Sequence, residues 1–411
     1  MGTFNYIAFI ADKIIKSAYK SNRSKPIIKI AITSVALSVS IMIIAICVVK
    51  GFQGEITSKV VGFGSHVTIH SFSQNDVIEI TPITKDSSLV AAIQAKEHVK
   101  HLQYYSIISG IAKSQEALQG IVFKGVDEDF EWNFFKTQLV KGRVPSIRKD
   151  SLSKEIILSQ LLANKLELDV GDKLIVYFIQ NPPKSRAFKI VGIYDTGMGE
   201  QNFDEAFILG DIKQVQNLQK WKQNEVTGIE VLIDDLQHLD KLGAQIYTEL
   251  PSELTSITIK ERFPSIFDWL ALQDINVKII ITLMVIVATL NMLTLLLIMV
   301  LERTATIGLL KTLGLSTKKL FQVFFIVMNN ILFKGLIIGN VIGIGFCLLQ
   351  KYFHLITLNK AIYYVSYVPI HIDSVNIILL NIGSIGISIL VVALSTLFIS
   401  RIMPSQSIIK S

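Results

Sequence analysis

Four long apolar runs constrain this 411-residue chain more than any other feature. They are Ile27 to Val49, Val277 to Leu301, a run within Leu320 to Gln350, and Val375 to Ser400. A bilayer core takes about 20 helical residues at ~1.5 Å each. Each run is therefore long enough to span, and the sequence predicts an α-helical membrane protein with four transmembrane helices. Lys29 lies a turn inside the first run, where it can snorkel to the headgroups. The third run is longer than a span needs and holds Asn329, Asn330 and Lys334. A lysine at mid-membrane costs ~2.5–3.5 kcal/mol on insertion scales. The span proper is thus expected at 331–350, with Lys334 near an interface; the sharper alternative is a charge buried on a transport path. Half of the residues are hydrophobic and 18% charged, against about 25% charged in soluble domains. That balance argues against a soluble enzyme of ordinary composition and against a disordered chain.

Orientation follows from lysines and arginines in short loops. Lys13, Lys16, Lys20, Arg23 and Lys25 precede the first run. Arg303, Lys311, Lys318 and Lys319 follow the second, and Arg401 and Lys410 follow the fourth, whereas the loop after the third has only Lys351 and Lys360. The expected order is a cytoplasmic amphipathic helix (1–26), a span (27–49), an external domain (50–276), a span (277–301) and a cytoplasmic loop (302–319). A span (320–350), a short external loop (351–374), a span (375–400) and a cytoplasmic tail (401–411) complete it. The net charge of +7 then reflects cytoplasmic anchoring, and no nucleic-acid partner is needed. The first run is too long for a cleaved signal peptide, whose apolar core is ~7–15 residues. Phe4, Ile7, Ala8, Ala11, Ile14, Ile15 and Ala18 recur at helical spacing beside lysines, as expected of a helix on the inner leaflet. Gly335, Gly339 and Gly343 form a small-residue ridge for close packing, expected to meet Gly383 and Gly386 of the fourth span rather than a second copy.

The external segment reads as mixed α/β. Strand-like runs are His66–His70, Glu155–Leu158, Lys173–Gln180, Arg186–Tyr194 and Gly228–Ile233; helical ones are Asp86–Val99, Gln160–Leu168, Asp211–Trp221 and Leu236–Leu250. Asn181 to Ser185 makes a hairpin tip stiffened by Pro182 and Pro183. Lys184 and Arg186 beside it could make this an ordinary turn or a protruding docking loop. Cys47 and Cys347 both fall in spans, so the external domain must hold without disulfides. No catalytic residues emerge. His66 and His70 are read as part of a polar surface, His98 and His101 as sharing a helix face, and no third metal ligand lies near in sequence. No nucleophile elbow and no phosphate-binding loop occur.

The segment Glu302-Arg303-Thr304-Ala305-Thr306-Ile307-Gly308-Leu309-Leu310-Lys311-Thr312-Leu313-Gly314 is the most informative. Ile307, Leu310 and Gly314 fall on one helical face, with Gly314 a natural stop. Such a helix could lie on the membrane, slot into a partner's groove or simply connect two spans. Gly51-Phe52-Gln53 follows the first span; Gly125-Val126-Asp127, Leu168 to Lys173 and Phe188 to Tyr194 punctuate the external segment. These elements, in this order, resemble permeases of FtsX/MacB-type ABC transporters, and most of all the lipoprotein-releasing (Lol system) permeases.

The resemblance implies a MacB-like periplasmic core domain in an inner-membrane, multi-pass permease that is not itself an enzyme. Its cytoplasmic segment would be a coupling helix for a separate LolD-like ATPase dimer carrying the ATP and Mg. Glu302, Arg303, Ile307, Gly308, Leu310, Lys311 and Gly314 would supply it. Ala305 and Thr306 depart from the charged residues common in the family. Lipoproteins would be drawn from the outer leaflet past Ile41, Ile44, Val48, Phe52, Val285 and Met292. A second permease copy or paralogue would complete the complex. A LolA-like periplasmic carrier would meet Pro182, Pro183, Lys184 and Arg186. Two other roles use the same scaffold: FtsX-like signalling to a cell-wall hydrolase, and MacB-like efflux with a periplasmic adaptor.

Overall fold

The computed structural model describes residues 2–20, 24–73, 80–115, 117–180, 182–198 and 204–400. The chain opens with α1 (Gly2–Lys20) and α2 (Ser24–Gly64). It continues through β1 (Val67–Ser71), β2 (Ile83–Thr84), α3 (Ser87–Gln94), β3 (Val99–Lys113), β4 (Leu118–Val126), α4 (Asn133–Gln138) and β5 (Leu139–Gly142). Next come β6 (Glu155–Ser159), α5 (Gln160–Leu166), β7 (Lys173–Phe178), β8 (Lys184–Tyr194), β9 (Phe207–Asp211), α6 (Ile212–Gln219), β10 (Glu225–Val226) and β11 (Gly228–Ile233). After α7 (Leu239–Glu249), β12 (Leu254–Thr258) and α8 (Ile259–Arg262), it closes with α9 (Pro264–Glu302), α10 (Thr304–Thr312), α11 (Thr317–Phe353), α12 (Lys360–Tyr363) and α13 (Ser374–Ser400). These elements form two compact units: a helical one, and an α/β one made of Gly54–Asp268 with Leu358–Tyr367.

Among the described residues, three helices are long and apolar enough to cross a membrane: Lys25–Gly64, Pro264–Glu302 and Lys318–Phe353. Ser374–Ile387 is a shorter apolar stretch. With 41 and 39 residues, α2 and α9 are ~60 Å long, about twice a bilayer core. The expected borders at 50 and 276 therefore fall inside continuous helices. Gly51 keeps α2 close to the segment before α13, because a Cβ there would strike the Pro369 carbonyl.

The helical unit's core joins Val35, Val39 and Ile43 of α2, Leu295 and Met299 of α9, and Val323, Phe324 and Val327 of α11. Two packing expectations are corrected here. Ile7, Ala11 and Ile14 of α1 are buried in this core, and α1 packs against α11, so its apolar face meets protein rather than lipid. The glycine ridge of α11 meets α2, not the last span. A Cβ on Gly335 would strike Val35, one on Gly339 would crowd Ala36 and Val39, and one on Gly343 would crowd Ser40 and Ile43. Gly383 and Gly386 have open space beside them. What joins α11 to α13 is polar: Asn340 and Asn381 exchange reciprocal amide hydrogen bonds of 2.7 and 3.0 Å. In an apolar setting such a pair leaves few polar atoms unsatisfied. Lys334 is exposed on α11.

In the α/β unit, β3, β4, β9, β6, β8 and β7 pair in succession, and β7 pairs back to β3. The six strands thus close a ring. Phe123, Phe178 and Phe188 fill it with Ile108, Ile156 and Ile190, and Phe123 stacks on Phe188 at 5.0 Å. Leu162 of α5 and Val215 of α6 belong to the same core. The first half of β3 also pairs β11, which leads to β1 and β12. The hydroxyl of Ser159 accepts from the Leu162 N–H and so caps α5 as expected.

The long strands β3 and β4 were not legible as strands. The predicted helix 86–99 ends at Gln94, which puts His98 in a turn and His101 in β3 rather than on one helix face. His66 is no surface residue: its Nδ1 accepts from the Ile233 N–H at 3.2 Å.

Where α2 ends, its last turn is held by the sheet. Lys124 donates to the Phe63 carbonyl at 3.2 Å and pairs with Glu230 at 2.5 Å, and Glu230 also accepts from Gln103 at 2.8 Å. Lys124 and Glu230 are both buried. A cation on a helix's unpaired C-terminal carbonyl satisfies both the acceptor and the dipole.

Candidate functional site

Three surfaces collect the residues that the sequence singled out. The first is a groove of 330 Å³ between α2 and α9, lined by Ile41, Ile44, Ala45, Val48 and Val49 on one side and Gln273, Asn276, Val277 and Ile280 on the other. Its walls are mostly aliphatic, and its volume lies within the ~300–1,000 Å³ range of ligand pockets. Polar ties between the same two helices bracket it. Nearer the start of α2, Asn291 donates to the Ser34 hydroxyl. Beyond the groove, Gln53 donates to the Leu270 carbonyl at 3.3 Å, and Lys50 stands 4.0 Å from Asp274. An apolar slot between two polar clasps can take an acyl chain without leaving a buried donor unpaired.

Of the six residues assigned to a lipid face, Ile41, Ile44 and Val48 line this groove. Val285 and Met292 do not: they border a separate void of only 30 Å³ with Val35, Val39 and Met42, and Met292 is core. Phe52 lines neither. Sequence reading missed Gln273, Asn276 and Ile280, because that part of α9 was divided between the external domain and the start of the second span.

The second surface is α10, set off from α9 by a break at Arg303. Arg303 donates to the Ser17 hydroxyl of α1 at 3.1 Å. Gly314 ends the helix with φ +88°, and the Leu315 N–H reaches back to the Leu310 carbonyl at 3.0 Å. This is the expected glycine stop. Part of the apolar face is turned inward: Ile307 and Leu310, both half-buried, pack against the core of the helical unit. Leu309 and Leu313 point outward instead, 62% and 76% exposed. Glu302 is also exposed, and Gly308 and Lys311 are half-buried.

The third surface is the β7–β8 hairpin. Phe178 pairs with Lys184, so Lys184 belongs to the strand as Arg186 does, and the connection runs over 179–183 rather than 181–185. Pro182, Pro183 and Arg186 are exposed. The Lys184 ammonium is engaged within the chain, donating to the Leu218 carbonyl at the end of α6 at 3.1 Å. On the outside of the ring, Ile111 faces Tyr177 across the strand pair. Ile111, Ile175, Tyr177 and Ile179 are 41–52% exposed, an apolar strip running to the hairpin tip.

The loop after α11 forms part of the α/β unit. Lys360 pairs with Asp195, and the buried Lys59 donates to the Tyr364 carbonyl at 2.9 Å. Burial holds the Lys59 ammonium below the ordinary lysine range. Gly197, at φ +75°, leaves room for both lysines, since a Cβ there would stand 3.1 Å from the Lys59 Nζ. Gly125 and Asp127 also have structural work. A Cβ on Gly125 would lie 2.6 Å from the Ile212 Cα, and Asp127 stands 3.8 Å from Lys85, its carboxyl pushed up to about 6 by burial.

Comparison with known proteins places these features in a class. Residues 30–248 match the MacB-like periplasmic core domain, and residues 278–404 match the FtsX-like permease C-terminal region. The chain belongs to the FtsX/MacB-type family of ABC transporter permeases. Among them it is most like the lipoprotein-releasing permeases. It is 22% identical to the lipoprotein-releasing system transmembrane protein LolC of Neisseria meningitidis serogroup B, over 98% of this chain and 99% of that one. It is 20% identical to LolE of Haemophilus influenzae, over 97% and 98%. The crystal structure of the periplasmic region of MacB from Actinobacillus actinomycetemcomitans aligns with 49% of this chain and 92% of its own, at 13% identity and a TM-score of 0.34.

Proposed function

We propose that this chain is the membrane subunit of an ATP-driven machine that lifts lipid-anchored proteins from the outer leaflet of the inner membrane. The observation that carries the reading is the aliphatic groove between α2 and α9, bracketed by polar clasps. The likeness to lipoprotein-releasing permeases over nearly the whole chain supports it. Four spans cross the membrane, with both termini cytoplasmic. A separate ATPase dimer binds ATP and Mg and docks on α10 through Leu309, Leu313 and the polar flank around Glu302 and Lys311. A second permease, identical or paralogous, completes the complex. The acyl chains enter at Ile41, Ile44 and Val48, and closure of the clasps expels them. A soluble carrier receives the substrate at Pro182, Pro183 and Arg186 and along the strip of Tyr177 and Ile179.

Depletion of the protein in its host, followed by membrane fractionation of a labelled outer-membrane lipoprotein, tests this reading. Retention of the lipoprotein in the inner membrane is expected, and a complementing Ile44→Trp/Val48→Trp variant that fills the groove should fail to restore sorting. Normal sorting in chained or lysing cells would replace the proposal with control of a cell-wall hydrolase.

A further inference from the structure

The chain has two cysteines, Cys47 and Cys347, and no surface described above uses either. Both are buried in the helical unit, 1% and 0% exposed, and both belong to its hydrophobic core cluster. The packing of α2 on α11 brings them together. The two helices advance together in steps of four: Gly335 lies on Val35, Gly339 on Val39, and Gly343 on Ile43. The next step in both series is Cys347 on Cys47. The seam is tight, since a Cβ on Gly343 would lie 3.1 Å from the Ser40 Cα, and the Ser40 hydroxyl donates to the Gly339 carbonyl at 2.9 Å. A disulfide needs Cα atoms about 4.4–6.8 Å apart, a spacing that glycine-lined helix seams provide.

We propose that Cys47 and Cys347 are a redox-sensitive thiol pair whose oxidation to a disulfide locks α2 to α11. In the reaction the two S–H bonds break, one S–S bond forms, and two protons and two electrons leave. An acceptor of the quinone class, soluble in the bilayer, takes all four and departs as the hydroquinone. A water-soluble disulfide is a poor oxidant here, because exchange needs in-line access to the sulfur and both residues are buried. The lock acts on the groove, because Ala45, Val48 and Val49 flank Cys47 on the same helix.

The test uses the full chain in its own membranes, treated with duroquinone, whose fully substituted ring adds no thiol. The protein is then denatured and its free thiols counted with a mass-tagged maleimide. The reduced protein should carry two tags and the oxidised monomer none, with both restored by dithiothreitol. Cys47→Ser and Cys347→Ser should each keep one tag and form no disulfide-linked dimer. Two tags persisting after oxidation overturn the proposal, and so does tag loss accompanied by dimers. A second arm, which rests on the release reading, follows lipoprotein release: oxidation should abolish it reversibly in the wild type and leave the Cys47→Ser/Cys347→Ser variant unaffected. Full release from protein that carries no tags would show that the lock leaves the groove working, and would overturn that part alone.

Discussion

At the scale of single residues, His66 is the clearest case of chemistry that the sequence could not show. Burial lowers its pKa from 6.5 to about 4, and its Nδ1 must stay unprotonated to accept from Ile233. The unfolded chain therefore binds this proton first as pH falls. The stability that neutral His66 supplies is complete above ~6.5 and is lost as pH falls toward 4, by up to ~3 kcal/mol. Asp127 works in the opposite direction: its carboxyl, raised to about 6 by burial, favours the fold as pH falls through 6. Thermal unfolding of wild type and His66→Gln in detergent at pH 7 and pH 4.5 separates the two. The variant should start less stable and lose less on acidification; an equal loss in both proteins would remove His66 from the acid limb. The histidine spacing suggested a polar surface, because periodicity reports a side chain's face and not what covers that face. Gly314 was legible for the converse reason: a glycine at a helix end carries its φ requirement with it.

At the scale of elements, α10 shows how much a helical pattern can tell. Its start, length and stop were readable, and so was the face bearing Ile307 and Leu310. What that face packs against was not, since an apolar stripe serves equally for a partner's groove or for the chain's own core. The structure gives it to the core and leaves Leu309 and Leu313 outside. Leu309→Asp/Leu313→Asp should therefore abolish co-purification of the ATPase while the protein reaches the membrane at wild-type level, because neither residue is buried. Undiminished co-purification would move the docking surface elsewhere. Ile307→Asp should instead lower the amount of folded protein, because the half-buried side chain packs against the core and a carboxylate there loses that contact. The glycine ridge of α11 repeats the lesson: small residues at four-residue spacing announced a close approach, but the partner is α2 and not the expected fourth span.

Across the whole molecule, the long apolar helices and the α/β segment between the first two were legible, because hydrophobic length is summed over many residues. The borders were less so. Nothing in Gly51-Phe52-Gln53 breaks a helix firmly, and α2 runs on to the sheet, where Lys124 takes the Phe63 carbonyl. The loop 358–367 belongs to the α/β unit through tertiary contacts alone, the pairs Lys360–Asp195 and Lys59–Tyr364, which no local pattern reveals. Lys360→Ala should free this loop: limited proteolysis should cut within 358–367 markedly faster than in the wild type, with the far-UV spectrum unchanged. Equal cutting rates would show that the loop stands without its ion pair.

The closed ring of β3, β4, β9, β6, β8 and β7 decides how its most exposed part can be probed. A ring has no edge, so none of its strands offers a free row of amides to a neighbouring molecule. Excising the β7–β8 hairpin would bare β3 and β6 together and give two sticky borders to a ring that has neither. A truncated chain would clump before it could report on any carrier. Exchanges at Pro182, Pro183 and Tyr177 leave the ladder whole, so they can distinguish a lost handshake from a lost fold.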